Sequence, residues 1–291
     1  FRSMDIWATC APETLSVEGW LGQLIQAIDP KADNVLTGVN FGRGMPRAMA
    51  LEGVPVASVG NLDSYGLMTE IEREEERNEA LDLFGRLYAP AIGRGQVNDF
   101  IRRTGIEAMK GADILTTAPE KYHSEVEYNL GNIGSYLRDM VQIHNAEFGT
   151  RVLFTTAPYN IFDTHGNQMV GHSNLLNNVA VNVDSYMQDM RQLNIGDNVM
   201  MLLYSEFGRR AIDNGSGTDH GTGGISFVIG EQVKGGIYGE YPSLEPNGLE
   251  EGGNLKHSLD FRSTYTTLLE KWMGVDAKPI VGGSYETVSF L

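Results

Sequence analysis

The chain of 291 residues is poor in cysteine, poor in positive charge and without a long apolar run. A single cysteine, Cys10, allows no internal disulfide framework and no metal site built from cysteines alone, and nothing around it suits a catalytic thiol. Lys and Arg number 22 against 38 Asp and Glu, a formal net charge of -16. With no basic cluster to concentrate what positive charge there is, this balance argues against a nucleic-acid partner. No run reaches the roughly 18 apolar residues that a membrane-spanning helix needs. No secretion signal is visible, and the chain opens on Phe1 rather than an initiator, which points to a processed product or a fragment whose targeting segment lies upstream. A Gly-x-Ser-x-Gly turn is missing, as is a Gly-x-Gly-x-x-Gly fingerprint between a strand and a helix, so neither a serine triad nor a dinucleotide fold has support. "GRGMPRAM" resembles a phosphate loop only until its end, where the Lys-Ser/Thr pair is absent.

What is present is an ordinary globular composition, 41% hydrophobic and 21% charged, enough for one large α/β domain over residues 1–291. Residues 15–28 carry apolar positions at helical spacing, with Gly19 and Gly22 placed for close packing of another element. "NVLTGVNF" and "VPVASVG" read as strands. Residues 66–148 read as a charged helical insertion within the domain, and its acid run "EIEREEER" as a solvated helix face. "TRVLFTTAPYN" is a β-rich run of the kind buried in a parallel sheet. It is followed by a helix with Leu175, Leu176, Val179, Val183, Met187 and Met190 on one face, and then by the strand "NVMMLLY". Strand, helix, strand in that order predicts a right-handed parallel crossover. "ISFVIG" adds a strand and "DFRSTYTTLLEKWMG" a terminal helix.

Ligands of open α/β sheets collect beyond the carboxyl ends of the strands. Three polar clusters fall there: "FDTHGNQMVGH" with Asp163, His165 and His172; "SEFGRR" with Glu206 and Arg209; and the glycine-rich loop "GTDHGTGG" with Asp219 and His220. Carboxylates with neutral imidazole make a mixed oxygen and nitrogen donor set, which favours zinc, manganese or iron over calcium or magnesium, the remaining candidates. Each piece also has an ordinary reading. Asp163 and Asp219 suit helix caps or turns, His172 the start of a helix, and Glu206 an ion pair with Arg209 or Arg210. His257 either faces the site or merely precedes a helix capped by Asp260. His123 and His144 lie in helical patterns, where a surface or hydrogen-bonded imidazole is the default.

The ordered motifs "FDTHGNQ", "SEFGRR", "NGSGTDHGTGG", "VKGGIYGEYPSL" and "DFRSTYTTLLEKWMG" resemble those of the secreted bacterial family called domain of unknown function 1501, within the alkaline phosphatase and sulfatase superfamily. That resemblance implies a doubly wound, mostly parallel sheet flanked by helices, with two metal ions at its strand ends. A Ser, Thr or formylglycine nucleophile stands between the metals in that superfamily. It implies that Asp163, His165 and His220 bind the first metal, while Glu206 stands where an Asp-His pair would begin on the second. Phe207 then stands in place of the histidine. Asp219 is implied as an outer residue orienting an imidazole, unless "TDHG" is itself the Asp-His pair. The resemblance further implies a periplasmic or extracellular protein, with a strand, a metal-binding Asp and the nucleophile upstream of Phe1. The expected activity is metal-dependent hydrolysis of phosphate or sulfate esters, of small molecules or polysaccharides, with Arg209 holding a non-bridging oxygen. The opposing expectation is a secreted structural or binding protein that keeps the fold without chemistry.

Overall fold

The computed structural model describes residues 2–63, 65–66, 71, 73–88, 96–129, 131–158 and 161–291. The helices are α1 (Arg2–Thr9), α2 (Trp20–Ile28), α3 (Glu74–Tyr88), α4 (Gln96–Leu115), α5 (Asn132–Asn145), α6 (Gln168–Gln192), α7 (Phe261–Thr267) and α8 (Lys278–Val281). The strands are β1 (Gly38–Phe41), β2 (Ala57–Val59), β3 (Val152–Thr155), β4 (Met201–Leu203), β5 (Gly208–Asp213), β6 (Thr218–Gly221) and β7 (Phe227–Ile229). Part of the charged run expected to be helical, including residues 67–70 and 72, and the strand end at 159–160 lie outside the described residues.

The architecture mixes helix and sheet: a parallel three-stranded sheet in the order β2-β1-β3, flanked by helices. β1 lies in the middle, and all of its residues are buried, as expected of a parallel strand covered on both faces. Alternation of side chains divides the interior into two cores. On one face Val39 and Phe41 of β1, with Leu153 of β3, meet Leu137, Met140 and Val141 of α5 and Met187 and Met190 of α6. On the other, Val152 and Phe154 of β3 join Trp20, Leu24 and Ile25 of α2, Tyr265 of α7 and Ile280 of α8. Gly38 permits that second layer to come close, because a Cβ there would lie 2.5 Å from Ile25 Cδ1. Gly22 does the same beside the 47–49 turn, where a Cβ would stand 2.9 Å from the Met49 carbonyl oxygen.

Two expectations are corrected. β4 does not enter the parallel sheet by a crossover from β3; it pairs antiparallel with β7, Met201 opposite Ile229. It still spans the same two cores, with Met201 in the first and Leu202 in the second, so its apolar alternation was satisfied without fixing its hydrogen-bond partner. The stretch after β4 is not a plain loop either, since β5 and β6 form an antiparallel hairpin. α6 begins at Gln168, ahead of His172, and its apolar face sinks into the core only in its second half; Leu176 is 50% exposed. Among the described residues no helix is long and apolar enough to cross a membrane.

Candidate metal centre

The site is built where the segment after β3 meets the β5–β6 hairpin. The hairpin closes through Asn214, whose side-chain oxygen accepts the backbone N–H groups of Ser216 and Gly217 at 3.1 and 2.9 Å, while Gly215 takes a φ of +99°. Gly217 lies against the His165 carbonyl, 2.7 Å from where a Cβ would stand, and Gln168 N–H donates to the Ser216 carbonyl at 3.1 Å. These contacts clamp the turn onto the chain that carries Asp163 and His165.

The clamp brings three donors together: a carboxylate oxygen of Asp163 and one ring nitrogen each of His165 and His220, all within 4.8 Å of one another. Asp163 Oδ1 lies 2.6 Å from His220 Nε2 and 3.0 Å from His165 Nε2. The imidazoles stack at 4.7 Å, and Phe207 stacks on His220 at 4.0 Å with 11° between the planes. Asp219 Oδ1 stands 3.4 Å from His165 Nδ1 and accepts a hydrogen bond from Asn214 Nδ2 at 3.2 Å. An imidazole that gives its Nδ1 proton to a carboxylate keeps the Nε2 lone pair for a ligand.

The electrostatics follow from these contacts. The His220 hydrogen bond holds the Asp163 carboxyl below its usual range against the opposing effect of desolvation, with the charges of His220, His165 and Arg209 adding to it. The Asn214 hydrogen bond, followed by that to His165, does the same for Asp219. Arg209 Nη1 donates to the Thr218 carbonyl at 2.7 Å and Nη2 to the Phe162 carbonyl at 2.8 Å, with Nη2 4.0 Å from Asp163 Oδ1. Its ion-pair neighbour is therefore Asp163, and not Glu206 as the sequence allowed. Burial pushes the Cys10 thiol up to about 12, so it stays protonated and unreactive at neutral pH.

Several candidates stand apart from the three donors. Glu206 is not among the gathered groups; its backbone carbonyl accepts a hydrogen bond from Ser3 Oγ. The next residue, Phe207, covers His220. His172 lies in α6, 3.4 Å from Thr164 Oγ1 and edge-on to Phe162, as a brace under the loop. His257 is likewise outside the gathered group and lies close enough to Asp260 for their charges to interact. Asn214, Phe162 and the stacking of Phe207 were not anticipated. The Asn-Gly dipeptide between two runs of extended chain was the available signal for the hairpin, and hence for Asn214.

One carboxylate oxygen and two imidazole nitrogens make a mixed oxygen and nitrogen donor set that could hold a metal ion. A family model described as "Protein of unknown function (DUF1501)" matches residues 108–282, more than half of the chain, and includes all three donors. No curated protein and no solved structure matches the chain.

Proposed function

Because the chain belongs to the DUF1501 family, whose function is unknown, we propose from its own site that it is a metal-dependent hydrolase of phosphate or sulfate esters. In this reading the fold is a doubly wound sheet of the alkaline phosphatase type, and the protein works in the periplasm or outside the cell. The observation that carries the proposal is the convergence of Asp163, His165 and His220, with Asp219 against the second nitrogen of His165. A divalent ion held there would supply Lewis-acid stabilisation of charge developing on the ester oxygens.

The chain's own residues supply the rest. Asp163 gives a charged oxygen whose basicity is lowered, so it is ionised well below neutral pH. Asp219, 3.4 Å from His165 Nδ1, would keep that ring's proton there and leave Nε2 facing Asp163 at 3.0 Å. Phe207 lies flat on His220 and limits rotation of that ring. The donors are 32% to 46% exposed at the side chain, so an ester group carried by a small molecule or a polysaccharide can approach them from solvent.

The rival reading is a non-catalytic binding protein that retains the fold and one cation. Phe207 at a ligand position and Glu206 outside the donor group favour it. Metal analysis, together with turnover of aryl phosphate and aryl sulfate esters by the wild type and His220→Ala, separates the two. The hydrolase reading expects bound transition metal and turnover in the wild type, with both lost in the variant. Equal rates in the two proteins would remove the catalytic assignment, and bound metal without turnover would favour the rival.

A further inference from the structure

Arg209 was expected to meet the substrate, yet its guanidinium is engaged elsewhere. Both terminal nitrogens donate to backbone carbonyls, those of Thr218 and Phe162, and the side chain is only 19% exposed. Thr218 lies two residues before His220 on β6, and Phe162 directly precedes Asp163. One planar fork therefore bridges the two segments that carry the three donors. Arg209 is also the register partner of His220 and lies 5.0 Å over the Phe207 ring that stacks on it.

We propose that Arg209 is a positioning residue: by tying Phe162 to Thr218 it sets the spacing at which Asp163 and His165 meet His220. The inference rests on the reading of this cluster as a cation site and assigns Arg209 a task there other than holding substrate. The sign of its electrostatic effect supports a geometric role. A positive charge 4.0 Å from Asp163 repels an incoming cation, so on charge alone the arginine weakens the site. What offsets this is preorganisation, since two segments distant in sequence reach a common point only if something fixes their separation. A lysine keeps the charge and the stem, but its single nitrogen cannot reproduce the planar fork.

The test is zinc binding, measured by titration calorimetry, to wild type, Arg209→Ala and Arg209→Lys, with the metal-free melting temperature of each. Both variants are expected to bind zinc about ten- to a hundredfold more weakly, the range for loss of a residue that orients metal ligands. Added ethylguanidinium should recover part of the loss in Arg209→Ala. Unchanged or tighter binding by Arg209→Ala overturns the proposal, because a substrate-binding or purely electrostatic arginine gives that result. If Arg209→Ala does not fold, Arg209→Lys carries the comparison. A wild type that binds no zinc, manganese or iron sinks the cation reading itself. The positioning role is then read from the nuclear Overhauser contact between the stacked rings of His165 and His220, whose centroids lie 4.7 Å apart. Loss of that contact in Arg209→Ala with the fold retained supports the role, and its persistence overturns it.

Discussion

In the cation site proposed above, Phe207 and Asp219 would donate nothing themselves but touch the residues that would, His220 and His165. Phe207→Ala removes the surface on which His220 lies flat, whereas Phe207→Tyr keeps it. Stacked aromatic pairs contribute about 0.5–1.5 kcal/mol beyond their buried area. We therefore expect Phe207→Ala to weaken zinc binding severalfold, with Phe207→Tyr close to wild type, when both are titrated with the metal. Asp219→Asn retains a polar partner for Asn214 but removes the charge facing His165 Nδ1. Its zinc affinity should fall by about tenfold or more. Because the residue is exposed at the surface, the melting temperature of the metal-free variant should hardly move. Acidification should also release the ion, since imidazole ligates only in its neutral form. The motif "FDTH" made Asp163 and His165 legible in the sequence, as "TDHG" did His220. Exclusion of Glu206 was not legible, because it depends on which side of the chain faces the hairpin.

At the scale of elements, α7 starts where the sequence suggested. Asp260 caps it, accepting the Arg262 backbone N–H at 2.9 Å and binding the Arg262 guanidinium through Nε at 2.9 Å and Nη2 at 2.6 Å. Arg262 also lies 4.4 Å over the Tyr285 ring, so the cap is linked to the C-terminal segment. Desolvation raises the Asp260 carboxyl, but the hydrogen bonds and charge of Arg262 outweigh it and the net shift is downward. A depressed folded value contributes stability that is present above the unfolded value and is lost as pH falls through the folded one. Asp260→Ala should thus cost about 1–2 kcal/mol at neutral pH. Denaturant melts should show that deficit shrinking in acid. The hairpin depends equally on small residues: Gly208 packs against the Gly223 backbone, and a Cβ at position 208 would collide with the Gly223 carbonyl oxygen. Gly208→Ala should therefore separate β5 from the 223–224 segment and loosen His220, seen as a lower melting temperature together with weaker zinc binding.

Over the whole molecule, charge sets the conditions for stability. With a formal net charge of -16 the fold works against its own repulsion. Its melting temperature should rise as salt is increased from about 10 mM to about 150 mM, over which the Debye length falls from ~30 Å to ~8 Å. A constant or falling melting temperature would show that local pairs outweigh the overall field. One buried acid adds a pH dependence of its own. Desolvation raises Asp139 on α5 from the usual 3.8 to about 6, against the lowering effects of Arg138 and the Leu62 backbone N–H. A raised folded value stabilises fully below the unfolded value, and that stability is lost as pH rises through the folded value. Asp139→Asn removes the titration while keeping an acceptor for Leu62. Relative to wild type it should gain stability as pH rises from about 4 to above 6, by at most roughly 3 kcal/mol for a shift of this size. Chemical denaturation across that range checks the sign.

The sequence by itself determined where most of the strands and helices of the two cores form and which side chains are candidates for a metal site. β1, β3 and β4 follow from short apolar runs, α5 and the second half of α6 from helical spacing of residues that reach the core, and the site from carboxylates and imidazoles placed among glycines. Tertiary structure alone decided that β4 pairs with β7, that residues 208–221 fold into a hairpin, that Glu206 stays apart from the donors, and that Arg209 bonds to backbone carbonyls. The physical reason is that burial is a local demand and pairing is not. An apolar residue can satisfy the first against either of several neighbours, whereas a strand's partner, its register and the side to which each side chain points are fixed by hydrogen bonds between segments far apart in the chain.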